Sequence, residues 1–479
     1  MALAVMLSAQ LMIILDATVV SIALPHILTS LHFSTTSLSW VMNAYVLTFG
    51  GLLLLGGRAG DILGRRRVFL AGIALFTVAS LAGGLSTSAG LLLAARAVQG
   101  VGGALAAPAV LALIVSGFPE GRERTRALGI YMGVITGGSS LGLVLGGVIT
   151  EWLSWRWVLF INVPIGAAVV AITPLFVAET PHQAGRFDLA GAVTSTAGVA
   201  SLVYGFVRAA ANGWGDRLAL EAFGASVVLL AVFLAVEARA RQPITPLRLF
   251  ADVSRSGSYA ARLLLIAGMF GVFYFLSQFL QRVAGFSPLR AGLAFLPLTA
   301  ALFVMSRMSP RLMPKVGAKP LMIVGMLPAI ASLAWLSRVS PATGYWSGVF
   351  GPMMLLGVGM GLVFVPLTTA SLAGVAPADS GAASSMVNVM QQVGGALGLA
   401  VLVAVYGTAS RDAARHPVAG LSAAAQGRYV LAHGMASAFG LAAILAACSL
   451  LLIIALIRTR RLVPQRAPVR EDEPAVAPR

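Results

Sequence analysis

The chain has 479 residues, of which 58% are hydrophobic and only 10% charged. A soluble globular protein carries roughly 25% charged residues, so this composition excludes a soluble globular fold and indicates an integral membrane protein. The formal net charge of +17 could suggest a nucleic-acid partner. We expect no such partner, because the basic residues lie mainly in short loops between apolar segments.

Apolar runs of about 20 residues, enough to cross roughly 30 Å of hydrocarbon, follow one another along nearly the whole chain. They are apolar all round and do not alternate with a period of two, which disfavours a β-barrel. The sequence therefore predicts an all-α integral membrane protein with about fourteen transmembrane helices. We place the helices at 1–27, 37–57, 68–88, 90–116, 125–150, 156–178, 188–207, 218–237, 257–280, 288–307, 319–337, 344–372, 380–407 and 433–457.

The basic residues favour one side of the membrane. If the first helix runs outward, about two thirds of them lie in the even-numbered loops and the C-terminal tail. This bias predicts a multi-pass plasma-membrane protein with both termini cytoplasmic. Basic loops that serve only topology and headgroup contact explain most of these residues equally well. They are Arg65, Arg66, Arg67, Arg122, Arg124, Arg126, Arg239, Arg241, Arg248, Arg307, Arg311, Lys315, Lys319, Arg458, Arg460 and Arg461.

Several absences narrow the function. The single cysteine, Cys448, excludes an intrachain disulfide, and the five scattered histidines lack metal-ligand spacing. The two lysines, Lys315 and Lys319, do not fit a P-loop, so the chain has no ATPase of its own. No stretch between spans is long enough for a catalytic domain. We therefore expect no enzyme, no metal and no cofactor. We also expect the long apolar run that begins at Met1 to be retained rather than cleaved as a signal peptide.

Composition along the chain predicts five segments. They are a six-helix bundle at 1–178, a two-helix insertion at 179–240, a cytoplasmic connector at 241–256, a second six-helix bundle at 257–459 and a disordered tail at 460–479. A basic, Gly- and Pro-containing loop follows the second helix of each bundle, at 57–67 and at 306–321. Two similar six-helix blocks are typical of transporters built from parallel repeats.

Several motifs resemble those of a known family. "GRAGDILGRRR" at 57–67 resembles the helix 2 to 3 signature of the major facilitator superfamily. "LDATVVSIALP" at 15–25, "RAVQGVGGAL" at 96–105 and "WRWVLFINVPIG" at 155–166 are similar to signatures of helices 1, 4 and 6 in its fourteen-helix drug:proton antiporter branch. "FLQRVAGFSPLRAGLAFLP" and "QQVGGALGLAV" resemble the C-terminal half of that branch.

The resemblance covers essentially the whole chain. It implies two six-helix bundles with two extra helices, and alternating access around a midplane site. It also implies export of hydrophobic or amphipathic small molecules, such as drugs and antibiotics, by a proton antiporter. Such a protein uses the proton gradient and needs no cofactor. Its partners are then small hydrophobic substrates, protons and the lipid bilayer, and we expect it to function as a monomer.

The resemblance also implies a conformational latch formed by Gly57, Asp61, Gly64, Arg65 and Arg66. In the family, the aspartate contacts a helix end and a basic residue of the other bundle in one state. A carboxylate beside a helix N-terminus gains roughly 0.3 to 1 kcal/mol, enough to bias a two-state equilibrium. The alternative is an ordinary basic loop in which Asp61 is a local counter-charge.

One arm of this latch departs from the family pattern. Ala59 and Ile62 stand where relatives usually carry a leucine and a basic residue. We therefore expect that arm to be weaker in this chain.

Asp16 lies about midway through predicted helix 1, where a charge costs at least roughly 2.5 to 3.5 kcal/mol. Such an acid is a candidate for loading and releasing protons. Arg96, inside predicted helix 4, is its natural electrostatic partner. The resemblance implies that this arginine takes part in proton transfer. The alternative for the pair is a structural salt bridge inside the bundle.

Predicted helix 5 carries glycines that match the antiporter signature at Gly133, Gly142, Gly146 and Gly147. Leu143 stands where that signature has proline, which predicts a straighter helix and weakens the inference to antiport. Glycines four residues apart also allow close helix packing. Packing without any directional meaning is therefore an equal alternative.

Substrate contacts are predicted from polar and aromatic residues that could face a midplane cavity. For each one, a hydrogen bond to a neighbouring helix is the competing explanation. Predicted helices 9 to 14 carry no acidic residue in their interiors, which favours neutral, weakly cationic or zwitterionic amphipathic substrates over dications. The residues are Asn43, Tyr45, Tyr131, Asn162, Tyr274, Gln278, Gln281, Asn388, Gln391 and Gln392.

Two other functions remain open from the sequence. The first is a secondary transporter dedicated to one metabolite or natural product, in either direction. The second is a membrane sensor that transports nothing, which the membrane-buried acid, the glycine ridges and the repeated blocks disfavour.

Overall fold

The computed structural model describes residues 1–118, 121–179, 188–240, 243, 245–375 and 380–458. In this part of the chain, fourteen helices are long and apolar enough to cross a membrane. The prediction of an all-α membrane protein with about fourteen spans is therefore confirmed. The helices are α1 (Ala2–Ser30), α2 (Ser37–Leu63), α3 (Arg65–Gly84), α4 (Ala89–Gly117), α5 (Arg122–Trp152), α6 (Trp157–Phe176), α7 (Leu189–Asn212), α8 (Arg217–Arg239), α9 (Val253–Val283), α10 (Pro288–Val316), α11 (Ala318–Leu336), α12 (Tyr345–Leu372), α13 (Ala382–Arg415) and α14 (Ala423–Leu456).

Four helix ends differ from the sequence prediction by six residues or more. Helix α2 continues to Leu63 instead of ending at 57, and α10 continues to Val316 instead of 307. Helix α13 continues to Arg415 instead of 407, and α14 begins at Ala423 instead of 433. Hydropathy detects only the part of a helix that is apolar enough for hydrocarbon. The helical backbone satisfies its own hydrogen bonds beyond that part, so these helices extend into polar sequence.

The junction of α2 and α3 is shorter than predicted. The expected loop at 57–67 is helical except at Gly64, whose φ of +100° lies in the left-handed region that favours glycine. Arg65, Arg66 and Arg67 form the first turn of α3. The predicted latch residues therefore lie on two helices joined at a single glycine, which limits their freedom to move independently.

The two halves repeat a close helix crossing. A Cβ atom built on Gly72 of α3 would lie 2.7 Å from the Gly102 carbonyl oxygen of α4. In the second half, a Cβ built on Gly359 of α12 would lie 2.6 Å from the Gly325 carbonyl oxygen of α11. Such contacts require small residues at both crossings. The third and fourth helices of each half therefore meet in the same way.

Helices α7 and α8 stand beside the two six-helix groups. Gly51 of α2 packs against Thr196 of α7, and the Arg411 guanidinium of α13 donates a hydrogen bond to the Ala210 carbonyl of α7. Helix α7 therefore contacts both halves, whereas α8 packs mainly on α7. Residues 180–187, 241, 242 and 244, at the predicted segment boundaries, and the predicted disordered tail at 460–479 lie outside the described residues.

The two halves are closed against each other at the end away from the basic loops. Ser277 Oγ of α9 donates to the Ser21 carbonyl of α1 at 3.0 Å, and Gln281 Nε2 donates to the Ile22 carbonyl at 3.0 Å. Toward the basic end of α5, Gly129 and Gly137 have nothing within 4 Å of a Cβ built on them. The molecule is thus closed at one end, while α5 has open space beside it at the other.

Candidate proton-coupling and transport site

Asp16 of α1 and Arg96 of α4 form an ion pair inside the first half. Arg96 Nη1 lies 2.5 Å from Asp16 Oδ2, and both side chains are fully buried. The electrostatic partnership expected from the sequence is therefore present in the structure. A buried pair of this kind depends on further hydrogen bonds, because desolvation costs each ion several kcal/mol.

The second oxygen of Asp16 is held by two amides. Gln99 Nε2 of α4 donates to Asp16 Oδ1 at 3.1 Å, and Asn162 Nδ2 of α6 donates to the same atom at 3.0 Å. Gln99 Oε1 accepts from Arg96 Nη1 at 3.0 Å, while Gln99 Nε2 also donates to Ser80 Oγ of α3 at 2.7 Å. Four helices therefore meet at one carboxylate through buried polar side chains.

Gln99 and Ser80 were not predicted as site residues from the sequence. Gln99 follows Arg96 by three residues, which places both side chains on one face of α4, so a helical projection could have found it. Asn162 was expected at a substrate cavity. It is instead fully buried and hydrogen-bonded to Asp16, because an ionised acid in an apolar interior recruits the nearest donors.

Arg96 is also held by α2. Its Nε donates to the Val41 carbonyl at 3.1 Å, and its guanidinium carbon lies 4.5 Å from the centroid of the Tyr45 ring. Tyr45 is only 3% exposed, so its expected place in a substrate cavity is corrected: it packs under the arginine inside the first half. Arg96 Nη2 is buried and has no hydrogen-bond partner among the described residues.

Asn43 was also predicted to face a substrate cavity, and the structure places it elsewhere. It is 1% exposed, and neither of its side-chain polar atoms has a partner in the described part of the chain. It lies two residues from Tyr45 on α2. It is thus a buried polar group and does not line an open cavity.

The latch residues contact each other and the end of α6. Arg65 Nη2 lies 3.0 Å from Asp61 Oδ1, one helical turn away, and both side chains are partly exposed. The Arg66 backbone N–H donates to Glu179 Oε1 at 3.0 Å. A Cβ on Gly57 would make only an ordinary contact of 3.7 Å with Pro108. These contacts involve α2, α3 and the chain just after α6, and Glu179, not Asp61, accepts the hydrogen bond from the Arg66 N–H at the start of α3.

Three of the four signature glycines of α5 make close contacts. Gly142 packs against Thr18 and Gly146 against Val19, both on α1. A Cβ on Gly147 would lie 2.7 Å from the Pro288 carbonyl oxygen of α10. Gly133 differs, because nothing lies within 4 Å of a Cβ built there. The expectation that Gly133 packs like the others is therefore corrected: it lies where α5 has open space beside it.

Leu143, in place of the signature proline, leaves α5 unbroken from Arg122 to Trp152. Its backbone carbonyl faces Gly292 of α10 at close range. Glu151, near the end of α5, accepts a 2.8 Å hydrogen bond from the Leu289 backbone N–H in the first turn of α10. A carboxylate of the first half thus caps a helix N-terminus of the second half, a geometry that favours closure at the end away from the basic loops.

Several other cavity candidates bond to neighbouring helices or to their own helix. The Tyr274 hydroxyl donates to the Thr35 carbonyl at 3.3 Å, and Gln278 is 1% exposed and accepts from Arg282 at 3.4 Å. Asn388 of α13 is exposed and donates to the Ser384 carbonyl of its own helix at 3.3 Å. For Tyr274 and Gln278, hydrogen bonding within the protein, the alternative to a substrate contact, therefore fits the structure.

Tyr131, Gln391 and Gln392 complete the predicted set. Tyr131 of α5 is 9% exposed. Gln391 and Gln392 of α13 are partly buried, and Gln392 packs against Gly50 of α2. Of the predicted residues of α13, Asn388 is thus exposed, while Gln391 and Gln392 keep part of their surface accessible.

Comparison with known proteins gives consistent results. The family model of the Major Facilitator Superfamily matches residues 6–399. The puromycin resistance protein pur8 of Streptomyces alboniger is 42% identical over 406 residues, covering 84% of this chain and 80% of that protein. The cephamycin export protein CmcT of Amycolatopsis lactamdurans is 42% identical over 412 residues, covering 85% of each.

Solved structures support the fold. A crystal structure of an auto-inhibited peptide transporter of the POT family has a TM-score of 0.66 at 17% identity, covering 97% of this chain and 98% of that one. The nucleoside transporter NupG has a TM-score of 0.64 at 12% identity, covering 95% and 99%. At this level of identity the likeness concerns the fold alone.

Proposed function

Because the chain belongs to the Major Facilitator Superfamily, we propose that it exports hydrophobic or amphipathic small molecules, antibiotics among them, across the plasma membrane. The proposed mechanism is alternating access driven by proton antiport. The names of the relatives support export, since they include resistance and export proteins for puromycin, cephamycin and tetracenomycin C. We place the basic loops and both termini in the cytoplasm, following the bias of the arginines.

The observation that carries proton coupling is the buried Asp16–Arg96 pair. A proton on Asp16 removes the negative charge that compensates Arg96, so the pair and its amide donors must rearrange. In the unprotonated state the pair is neutral overall and strongly bonded. Protonation of Asp16 therefore weakens the interactions that hold α1, α4 and α6 together around this carboxylate.

Helix α1 connects this point to the closed outer end. Asp16 is followed within two turns by Thr18 and Val19, which pack on α5, and by Ser21 and Ile22, whose carbonyls accept hydrogen bonds from α9. A displacement of α1 on protonation therefore acts directly on contacts between the halves. This is the physical route by which a proton biases the inward-open or outward-open state.

The Asp61 junction completes the proposed cycle at the cytoplasmic end. With the outer end closed, Asp61 bonds to Arg65 of its own half. When the outer end opens, the cytoplasmic ends approach, and we expect Asp61 to engage the second half. The capping contact of Glu151 with α10 then breaks as the Asp61 contact forms.

The test is transport in proteoliposomes with an imposed pH gradient, with puromycin as substrate and a pH-sensitive dye inside the vesicles. Asp16→Asn should abolish substrate-coupled proton movement while puromycin binding to the purified protein remains measurable. Asp188→Asn is the matched control, because asparagine caps the N-terminus of α7 as well as aspartate does. If Asp16→Asn transports with normal coupling, Asp16 is structural and the proposal fails.

A transporter dedicated to one natural product is the second candidate. Relatives named for export of a single compound favour it, whereas the relative named multidrug resistance protein Stp favours broad selectivity. Efflux of structurally unrelated dyes from the same vesicles distinguishes the two.

A further inference from the structure

Arg262 of α9 is a buried guanidinium in the second half. The residue is 3% exposed. Its Nη2 donates to Thr368 Oγ1 of α12 at 2.5 Å, and its guanidinium carbon lies 5.8 Å from the centroid of the Phe364 ring. Its Nε is buried and has no hydrogen-bond partner among the described residues. One hydroxyl and one ring are therefore the contacts that hold a full positive charge.

No acidic side chain of the described residues forms an ion pair with Arg262. Helices α9 to α12 and α14 carry no Asp or Glu, and Asp412, at the far end of α13, contacts His416. Arg255, two turns earlier on the same face of α9, is also buried and donates to backbone carbonyls, including that of Ala373 at the end of α12. Asp252, the N-cap of α9, accepts a hydrogen bond from the Arg255 backbone N–H, so a carboxylate lies next to Arg255. Arg262 is thus the buried arginine of α9 that lacks an acidic partner among the described residues.

Arg262 lies close to the contact between the halves. Tyr259, one turn earlier, forms a buried cluster with Met386 and Val387 of α13, and Leu54 of α2 in the first half packs against this cluster. Asn388, exposed on α13, follows directly on Val387. The uncompensated charge is therefore near a surface that changes when the halves move.

Burying a charge without an acidic partner costs several kcal/mol, so an intramembrane arginine of this kind is a candidate for a functional interaction. We propose that Arg262 binds the carboxylate of transported molecules, so that this transporter prefers amphipathic acids and zwitterions to neutral analogues and cations. This inference rests on the proposed export function and specifies its substrate class. A guanidinium binds a carboxylate with two parallel hydrogen bonds, for which the unpartnered Nε supplies one donor.

The test compares two fluorescent probes that differ only in charge, N-dansylphenylalanine and its amide. Binding to the purified full-length protein is measured by energy transfer from tryptophan. We expect the wild type to bind the acid about tenfold more tightly than the amide, the effect of one charge-assisted hydrogen-bond pair. Arg262→Gln should remove this preference by weakening acid binding alone, and Arg262→Lys should retain part of it.

Arg282→Gln is the matched control, because it removes the same charge from the other end of α9 and should leave the preference intact. Equal binding of acid and amide by the wild type overturns the proposal, as does an unchanged preference in Arg262→Gln. Asp379 lies outside the described residues. A tighter acid affinity in Asp379→Asn would mean that this residue compensates Arg262, which also overturns the proposal.

Ethidium efflux under a pH gradient separates this inference from the proposed function. If ethidium is exported while the acid has no advantage, the charge preference alone fails. If the wild type exports neither ethidium nor puromycin, the export function itself fails.

Discussion

The two halves of the transporter each bury an arginine deep in an apolar helix, but they compensate it differently. Arg96 in the first half has a carboxylate at 2.5 Å, a glutamine and an aromatic ring. Arg262 in the second half has a threonine hydroxyl and a more distant ring. Since both halves share the same glycine crossing of their third and fourth helices, the difference lies in the charges and not in the architecture. This contrast underlies our two proposals, proton coupling in the first half and carboxylate binding in the second.

The largest expected effect is on the stability of the first half. Arg96→Gln leaves Asp16 buried without its cation, so the free energy of unfolding should fall by about 3 to 5 kcal/mol. Unfolding in a denaturing detergent, followed by tryptophan fluorescence, measures the change. The double variant with Asp16→Asn should be less destabilised than Arg96→Gln alone, because no charge is then left unpaired. Equal losses in both would show that the pair contributes through packing and not through charge.

The next largest effect is expected at the contact between the halves that Gly147 of α5 makes with α10. Gly147→Ala places a methyl group against the backbone of α10, and overpacking of this kind costs about 1 to 3 kcal/mol. The closed outer end should therefore become less populated. Spin labels at Thr87→Cys and Pro341→Cys, in outer loops of the two halves and on a Cys448→Ser background, report the distance. Gly133→Ala, with open space beside it, should leave the distance distribution unchanged. The same shift in both variants would contradict the role assigned to Gly147.

The second half provides the direct contrast with Arg96. In Arg262→Gln, no carboxylate among the described residues loses an ion-pair partner. The free energy of unfolding of this variant should therefore stay within about 1 kcal/mol of the wild-type value. The same detergent titration measures it. A loss as large as that of Arg96→Gln would remove the distinction between the halves and indicate a structural partner for Arg262.

The smallest effect concerns Glu151. Glu151→Gln weakens a carboxylate cap at the start of α10, worth roughly 0.3 to 1 kcal/mol at low ionic strength. The spin-label distance should shift in the same direction as in Gly147→Ala but less, and salt should reduce the difference from the wild type. Glu123→Gln, at the other end of α5, is the control. No shift at low salt would show that the cap does not bias the outer closure.

Local properties of the chain were enough to predict much of this protein. Fourteen spans follow from hydrophobic length, because the bilayer fixes how many apolar residues a helix needs. The Asp16–Arg96 pair follows from the same logic, since the only acid and the only base deep in first-half spans must find each other in a low-dielectric interior. The contacts at the junction of α2 and α3 could not be predicted in this way, because Glu179, which accepts a hydrogen bond from Arg66, lies 113 positions away in the sequence.

The sequence by itself therefore determined the helices, their number and the existence of a buried charge pair. The tertiary structure decided which of two similar arginines has an acidic partner and which three of four similar glycines contact another helix. Tyr45 became part of the charge network for the same reason. In each case the sequence shows the residue type, but the neighbouring side chains belong to helices that are distant in the sequence. Those neighbours decide whether a charge is compensated and whether a glycine is closely packed.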